Sequence, residues 1–332
     1  MESQISKVSV IIVNYNAGDW LAKSTRSLLS QMEADFECFI VDNGSTDGSL
    51  GTLPKLDKRF TIIELGYNAG FAVANNHAAK LANSPWIALL NPDAFARPDW
   101  LEKLLAETTI APNIAMVGST QYLALADTPT LDGAGDCYHF SGIAYRAGYG
   151  HNSMPPATGF VFGPCAAAAL YDREKFLELG GFDERFFCYH EDVDLAFRMQ
   201  LTGFDCIQSQ AAIVDHVSSA IASKVPNFAI YHGTRNRIWT FFKNMPAALL
   251  ILLLPVHILA NLAYLYWALF RKDRFGPTLQ GVKDAMVGLP EIMETRRKVQ
   301  NTRKISMLAL LSKFTWSPIK VLRRGIHIRK IP

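Results

Sequence analysis

Three places in the 332-residue chain put carboxylates where chemistry could use them. The first is Asn91-Pro92-Asp93, directly after the apolar run WIALL. A carboxylate ending a buried strand costs free energy unless it is paired or coordinated, so Asp93 either faces a cleft and holds a cation, or caps the helix that begins near Pro98 or closes a turn. The second is Glu191-Asp192, in FCYHEDVDLAFR. Acids at a helix start are favoured by the dipole and the free amides, which is a purely structural reason for them. The aromatic residues just ahead, Phe182, Phe186, Phe187 and Tyr189, supply a chemical one: restricted water access raises a carboxylate toward the pKa a general base needs. The third is Asp42, at the end of FECFIVD and before an Asn-Gly-Ser-Thr turn. His216, after AAIVD, is either a structural histidine or a metal ligand.

The elements that must position these groups follow from periodicity. Residues 8–13, VSVIIV, form a β-branched run of the kind that is covered on both faces, as in a parallel sheet. Helical spacing follows over 19–31, then an apolar strand to Asp42, a strand at 60–65, a helix at 71–82 and the strand 86–90. Strand and helix alternating at short intervals predict a doubly wound α/β sheet, in which ligands sit beyond the carboxyl ends of the strands. Polar turns stand at that end after three strands: Asn14-Tyr15-Asn16, Asp42-Asn43-Gly44-Ser45 and Asn91-Pro92-Asp93. Periodicity weakens over 96–160; within it LDGAGDCYHFSGIAYRAGYGHNS, residues 131–153, is rich in Gly and Tyr and suits loops or hairpins near a binding site. A strand reading returns at 159–171, then a helix to Leu179 and an amphipathic helix from Asp192 closed by Gly203.

Charge divides the chain. Residues 1–230 carry 15 Lys/Arg against 26 Asp/Glu, and residues 231–332 carry 18 against 4, so the two parts are expected to meet different partners. We therefore expect a catalytic domain over 1–230 and a helical, apolar then basic, membrane-associated region over 231–332. Five cysteines without a frame favour free thiols in a reducing compartment, and the N-terminal apolar run is too short for a secretion signal.

Five motifs in order, VIIVNYN at 10–16, VDNGSTDGS at 41–49, NAGFAVANN at 68–76, LNPDA at 90–94 and HEDVDLAFR at 190–198, resemble the inverting family 2 glycosyltransferases, most nearly the bacterial rhamnosyltransferases that extend lipid-linked glycans. The resemblance spans residues 7–240. It implies a GT-A fold, an α/β Rossmann-like and mostly parallel sheet flanked by helices, here with a C-terminal apolar and basic helical extension. It implies that Asp42 accepts a hydrogen bond from a uracil or thymine imide, that Asn14, Tyr15 and Asn16 line the nucleoside, and that Asn68, Gly70 and Asn75 belong to the stretch closing on the sugar nucleotide. Asn91-Pro92-Asp93 stands where the family has its Asp-x-Asp motif; Asp93 would hold Mg²⁺ or Mn²⁺ against the diphosphate, with His216 completing the metal shell. Asn91 departs from the family pattern, leaving one carboxylate there and making the ion more dependent on the nucleotide's own phosphates. Asp192 would be the base, with Glu191 beside it. The donor implied is dTDP-L-rhamnose.

Residues 246–270 contain no charged residue and are long enough to span a bilayer, although Pro255, His257 and Asn261 also suit an interfacial or re-entrant helix pair; a buried core helix is the third reading. Arg271-Lys272 follow, and 271–332 hold 15 Lys/Arg against 4 Asp/Glu with Phe314, Trp316, Ile319 and Val321 interleaved. That suits the anionic cytoplasmic face of the inner or plasma membrane and a lipid-linked glycan acceptor. Nucleic-acid binding would explain the charge but not the apolar run, so no nucleic acid is expected. RNRIW at 235–239 resembles the Q-x-x-R-W motif of processive synthases without its glutamine, which favours transfer of a single sugar. Two other readings are a non-catalytic nucleotide-sugar-binding protein of the same fold, motivated by Asn91, and a nucleotidyltransferase, for which the Gly-rich basic phosphate loop is missing.

Overall fold

The computed structural model describes residues 5–218, 225, 227–271 and 273–331, so Lys272 lies outside the described residues. The β-branched run becomes β1 (Val8–Asn14), with all seven residues buried. Then come α1 (Asp19–Leu29), β2 (Phe36–Asp42), β3 (Phe60–Glu64), α2 (Phe71–Leu81) and β4 (Trp86–Leu90). β1 pairs in parallel with both β2 and β4, and the register sets Asn14 opposite Asp42. The short β5 (Ala94–Ala96) and α3 (Trp100–Glu107) follow.

Beyond α3 the stretch with the weakest sequence pattern holds a long regular strand. Residues Ile114–Leu123 form β6, a ten-residue strand in the interior of the sheet. Its sequence, IAMVGSTQYL, lacks alternation because both faces are covered, and its polar half bonds inside: Thr120 Oγ1 donates to the Ser209 carbonyl at 2.7 Å. β7 (Leu131–Ala134) and the hairpin β8 (Asp136–Tyr138) with β9 (Ala144–Arg146) follow. The stretch read as one strand over 159–171 is two, β10 (Gly159–Val161) and β11 (Ala168–Asp172), broken around Gly163-Pro164. Next are α4 (Arg173–Glu178), capped by the Asp172 carboxylate, then α5 (Glu191–Leu201) and β12 (Asp205–His216).

The ten-stranded sheet has the order β10-β12-β6-β11-β4-β1-β2-β3, with β5 on β12 and β7 on β6. β11 is antiparallel to both β4 and β6, so those two run the same way, and β12 is parallel to β6. The carboxyl ends of β1, β2, β4 and β12 therefore share one edge, which brings Asn14, Asp42, Asn91 to Asp93, and His216 together. One apolar core lies under α1 and α3, around Leu21, Leu28, Trp100 and Leu104. The other lies under α2, α4 and α5, around Ala74, Ala78, Phe176, Leu195 and Met199.

α5 is not the half-exposed amphipathic helix its pattern predicts, since ten of its eleven residues are buried. The reason is α6 (Phe228–Asn244), which covers its polar side. Lys243 Nζ reaches Asp183 at 2.6 Å and Asp194 at 2.9 Å, Asn244 Nδ2 donates to Asp194 at 2.8 Å, and Arg198 pairs with Asp194 at 2.7 Å. After α6 come α7 (Ala247–Leu269), α8 (Phe275–Asn301), α9 (Met307–Leu311) and α10 (Pro318–Leu322). α7 is one continuous helix with Pro255 inside it, not a re-entrant pair, and most of it is exposed rather than core. The final residues return to the sheet, where Arg329 exchanges backbone hydrogen bonds with Phe160, both 2.8 Å.

Candidate active site

A cavity of about 730 Å³ opens at the carboxyl edge of the sheet, and its size is that of a small-molecule site. From the sequence-predicted set it is lined by Tyr15, Asn68, Gly70, Asn91, Asp93, Glu191, Asp192 and His216. Asn14, Asn16, Asp42 and Asn75 stand outside its wall. Asn14 Nδ2 donates to Asp42 Oδ1 at 2.7 Å and reaches Ser49 Oγ at 2.8 Å, while Asp42 Oδ2 accepts from the Ser45 amide at 3.0 Å. The pair is buried and braces the two turns. Asn16 Oδ1 accepts from the Thr46 amide at 2.8 Å, and Asn75 Nδ2 donates to the Phe71 carbonyl within α2 at 2.9 Å. The residue after Asp42 reaches the cavity instead: Asn43 Nδ2 donates to Asn68 Oδ1 at 3.0 Å and its Oδ1 accepts from the Ala69 amide at 2.9 Å.

On the opposite wall, Asp93 is 3% exposed and does not cap α3. Its Oδ1 lies 3.2 Å from His216 Nε2, and His216 Nδ1 lies 2.8 Å from Asp132 Oδ2, which also accepts from Arg146 at 2.6 Å. Burial lowers the His216 pKa, but the bonds to Asp132 and Asp93 outweigh it and the net shift is upward. Asp132, which the sequence reading missed, thus fixes the ring's orientation, the task of an outer carboxylate behind a histidine ligand. Two donors about 3 Å apart match adjacent ligands roughly 2.1 Å from one divalent ion. Carboxylate oxygen, imidazole nitrogen and the nearby Asn91 amide fit Mg²⁺ or Mn²⁺ in donor type.

Three acids crowd the third wall. Asp192 Oδ2 accepts from the Ala166 amide at 3.1 Å and its Oδ1 from the Val193 amide at 2.8 Å. Burial raises Asp192, while these amides and the Arg146 guanidinium pull it back. Glu191 is driven well above the carboxylate range by burial and then by the Asp192 charge, and its Oε2 has no hydrogen-bond partner among the described residues. Burial and Asp192 push Asp136 up to about 7. All three are raised by burial, and the two backbone amides on Asp192 favour its charged form over those of Glu191 and Asp136. Asp136, Asp192 and Cys165 put donor atoms within 4.8 Å of one another, but this is a poor metal site. The Cys165 thiol is pushed up to about 12 by burial, and Arg146 already supplies the positive charge. Neither Asp136 nor Arg146 carries a local signal, because each faces the cavity only through the β8–β9 hairpin.

The loop ahead of Glu191 is strained. Phe187, Tyr189 and His190 have φ of 64°, 68° and 67°, a region side-chain-bearing residues avoid at a cost of roughly 1–3 kcal/mol each. Asn236 of α6 restrains them, its Nδ2 donating toward the Tyr189 carbonyl at 2.7 Å and the Phe186 carbonyl at 2.9 Å; Arg235 reaches the Phe186 carbonyl at 3.1 Å. Gly70, at φ 88°, is needed here because a Cβ would lie 2.5 Å from Phe187 Cδ2.

The family model described as Glycosyl transferase family 2 matches residues 9–176. An uncharacterized glycosyltransferase of Haemophilus influenzae is 34% identical over 115 residues, covering 34% of this chain and 36% of that one, so the match spans about a third of that relative. The N-acetylglucosaminyl-diphospho-decaprenol L-rhamnosyltransferase of Mycobacterium tuberculosis is 26% identical over 250 residues, 67% of this chain and 80% of that one. Among solved structures, the mannosyltransferase PcManGT from Pyrobaculum calidifontis, in complex with GDP-Man and Mn2+, superposes with a TM-score of 0.52 at 15% identity over 94% of this chain and 88% of that one.

Proposed function

Because the chain belongs to glycosyl transferase family 2 and is a glycosyltransferase with a GT-A fold, we propose that it moves one sugar, with inversion, from a nucleoside-diphosphate donor to a hydroxyl of a lipid-linked or cell-surface glycan. The observation that carries this reading is that Asp93 with His216, and Glu191 with Asp192, line the same cavity. The donor's base end would sit by Tyr15, Asn43 and Asn68, with Asp42 and Asn14 acting behind them to hold the turns. Asp93 and His216, with Asn91 close by, would hold Mg²⁺ or Mn²⁺, which offsets negative charge on the departing diphosphate.

The acceptor hydroxyl attacks the anomeric carbon on the face opposite the diphosphate. As the new C–O bond forms, Asp192 takes the hydroxyl proton; the old C–O bond breaks and its electron pair leaves with the nucleoside diphosphate. Two backbone amides favour the ionised form of Asp192 against the burial that raises its pKa, while burial and the Asp192 charge drive Glu191 well above the carboxylate range. One displacement inverts the centre. L-rhamnose from dTDP-rhamnose is the donor reading supported by the M. tuberculosis relative's name. The chemistry is assigned to residues 1–230 and membrane contact to 231–332, with the site on the cytoplasmic side of the inner or plasma membrane.

The test is transfer of labelled sugar from a panel of nucleotide sugars, with Mn²⁺ or chelator, to a bacterial membrane lipid extract. We expect metal-dependent label in the lipid fraction from dTDP-L-rhamnose and an inverted anomeric centre in the product. Donor binding without transfer to any extract, or retained configuration, contradicts the reading.

A further inference from the structure

α7 is long and apolar enough to cross a membrane, and only 17% of its most apolar stretch is buried inside the protein. The way it is held decides otherwise. α6 and α8 run side by side in the same direction. Trp239 Nε1 donates to the Ala285 carbonyl at 3.0 Å, Arg296 to the Phe242 carbonyl at 2.7 Å, and Gln300 to the Asn244 carbonyl at 2.9 Å. Contacts that climb both helices together require α7, which joins the end of α6 to the start of α8, to run back along them. Both neighbours are fastened to the catalytic part, α6 through Asn236 and Lys243, and α8 through Glu291 and Thr295 to Arg185. The middle of α7 is fastened too, with His257 Nδ1 2.8 Å from the Ser141 carbonyl. A membrane crossing by α7 would drag the polar length of α8, with Lys283, Asp284, Glu291, Glu294 and Arg297, into hydrocarbon, at several kcal/mol per charge.

The helix instead presents one face outward. Leu249, Leu253 and His257 are buried, while Leu252, Leu259, Leu262, Tyr266 and Phe270 are 55–70% exposed on the opposite side. A second apolar surface stands beyond the buried side of α7, where Ser141 meets His257. Phe140, one residue before Ser141, stacks on Trp316 with ring centroids 4.8 Å apart, and α10 then exposes Ile319 at 61% and Leu322 at 83%. Arg323 and Arg324 follow directly, and Arg324 lines the catalytic cavity. This second surface thus ends in cations at the site's own wall, in a C-terminal region with 18 Lys/Arg against 4 Asp/Glu.

Resting on the reading above that the acceptor is membrane-borne, we infer that α7 lies flat in the interface of an anionic bilayer without crossing it, and that this face with Trp316, Ile319 and Leu322 is the platform from which a lipid-linked acceptor reaches the cavity past Arg324. Apolar side chains sink into the headgroup boundary while basic residues meet anionic lipid, the usual balance for an in-plane helix.

The full chain is added to sealed vesicles of phosphatidylcholine and phosphatidylglycerol and read two ways. The first is sedimentation of the wild type and of Leu259→Glu/Leu262→Glu, whose unchanged melting temperature verifies the fold. We expect at least about tenfold weaker binding of the double variant, in line with losing two buried leucines. The second is labelling of Ala247→Cys and Arg271→Cys by a membrane-impermeant maleimide, against the wild-type thiol background. Both positions should label from outside before detergent is added. If one labels only after detergent, α7 crosses the bilayer and the inference falls while the membrane reading stands. If the wild type does not bind vesicles at all, the membrane reading itself falls. Unchanged vesicle binding by the double variant, or a wild-type dimer that this variant dissociates, overturns the platform.

Discussion

At the residue scale, the site depends on three neighbouring carboxyls with different duties. Burial and then the Asp192 charge raise the Glu191 pKa well above the carboxylate range, so Glu191→Gln is a near-isostere of the protonated form these surroundings favour. Turnover by that variant should stay within about tenfold of wild type, well short of the 10²-fold or larger loss typical of a missing general base. Its stability has a definite sign. A carboxyl whose folded pKa is raised costs nothing below its unfolded pKa near 4.3 and an increasing amount as pH climbs toward the folded value. Glu191→Gln should therefore melt higher than wild type at pH 8, with the difference vanishing near pH 4, as read by calorimetry. Asp192 must be ionised to act, so kcat/KM should fall as pH drops through its raised pKa, placing the acid limb above the ordinary aspartate value of about 3.9. Of these groups, Asp93, Glu191, Asp192 and His216 were legible because each follows a strand or opens a helix. Asp132, Asp136 and Arg146 were not, because their parts depend on pairing between β6, β7 and the β8–β9 hairpin, which no local pattern announces.

At the element scale, α6 does the positioning. Lys243 neutralises Asp183 and Asp194 from within, and Asn236 holds the strained backbone ahead of Glu191. Lys243→Met should cost about 3–5 kcal/mol, measured by urea denaturation, because it leaves buried carboxylates with less positive charge around them. It should also lower kcat, since α5 begins beside the proposed base, Asp192. The sequence showed β1, β2, α2 and β4 clearly, each with a single unambiguous period. It misrepresented α5, whose polar face looks solvated until α6 covers it, and left β6 unread, since its Gly-Ser-Thr-Gln stretch shows no clear period until its hydroxyls find partners inside the sheet. RNRIW offered a signal of another kind: its Arg235 and Asn236 clamp the loop beside the acids.

At the scale of the whole molecule, the acidic first two-thirds and the basic remainder are not separate bodies. Ile328 and Ile331 pack against the two cores of the sheet, Arg329 pairs with the β10 backbone and Arg324 reaches the cavity. Ending the chain after residue 304 should therefore lower the melting temperature by several degrees or more, as expected when about 2 kcal/mol or more of burial is lost, instead of releasing an inert tail. An unchanged melting curve would mean that these contacts are not formed in solution. The central claim is that one cavity holds a donor site at Asp93 and a base at Asp192. Calorimetric titration of the nucleotide-sugar donor in Mn²⁺, run beside turnover on Asp192→Asn and Asp93→Asn, tests it most directly. The account predicts near wild-type donor affinity with at least about a hundredfold lower turnover for Asp192→Asn, and weakened donor binding for Asp93→Asn. Near-normal turnover by Asp192→Asn would contradict it.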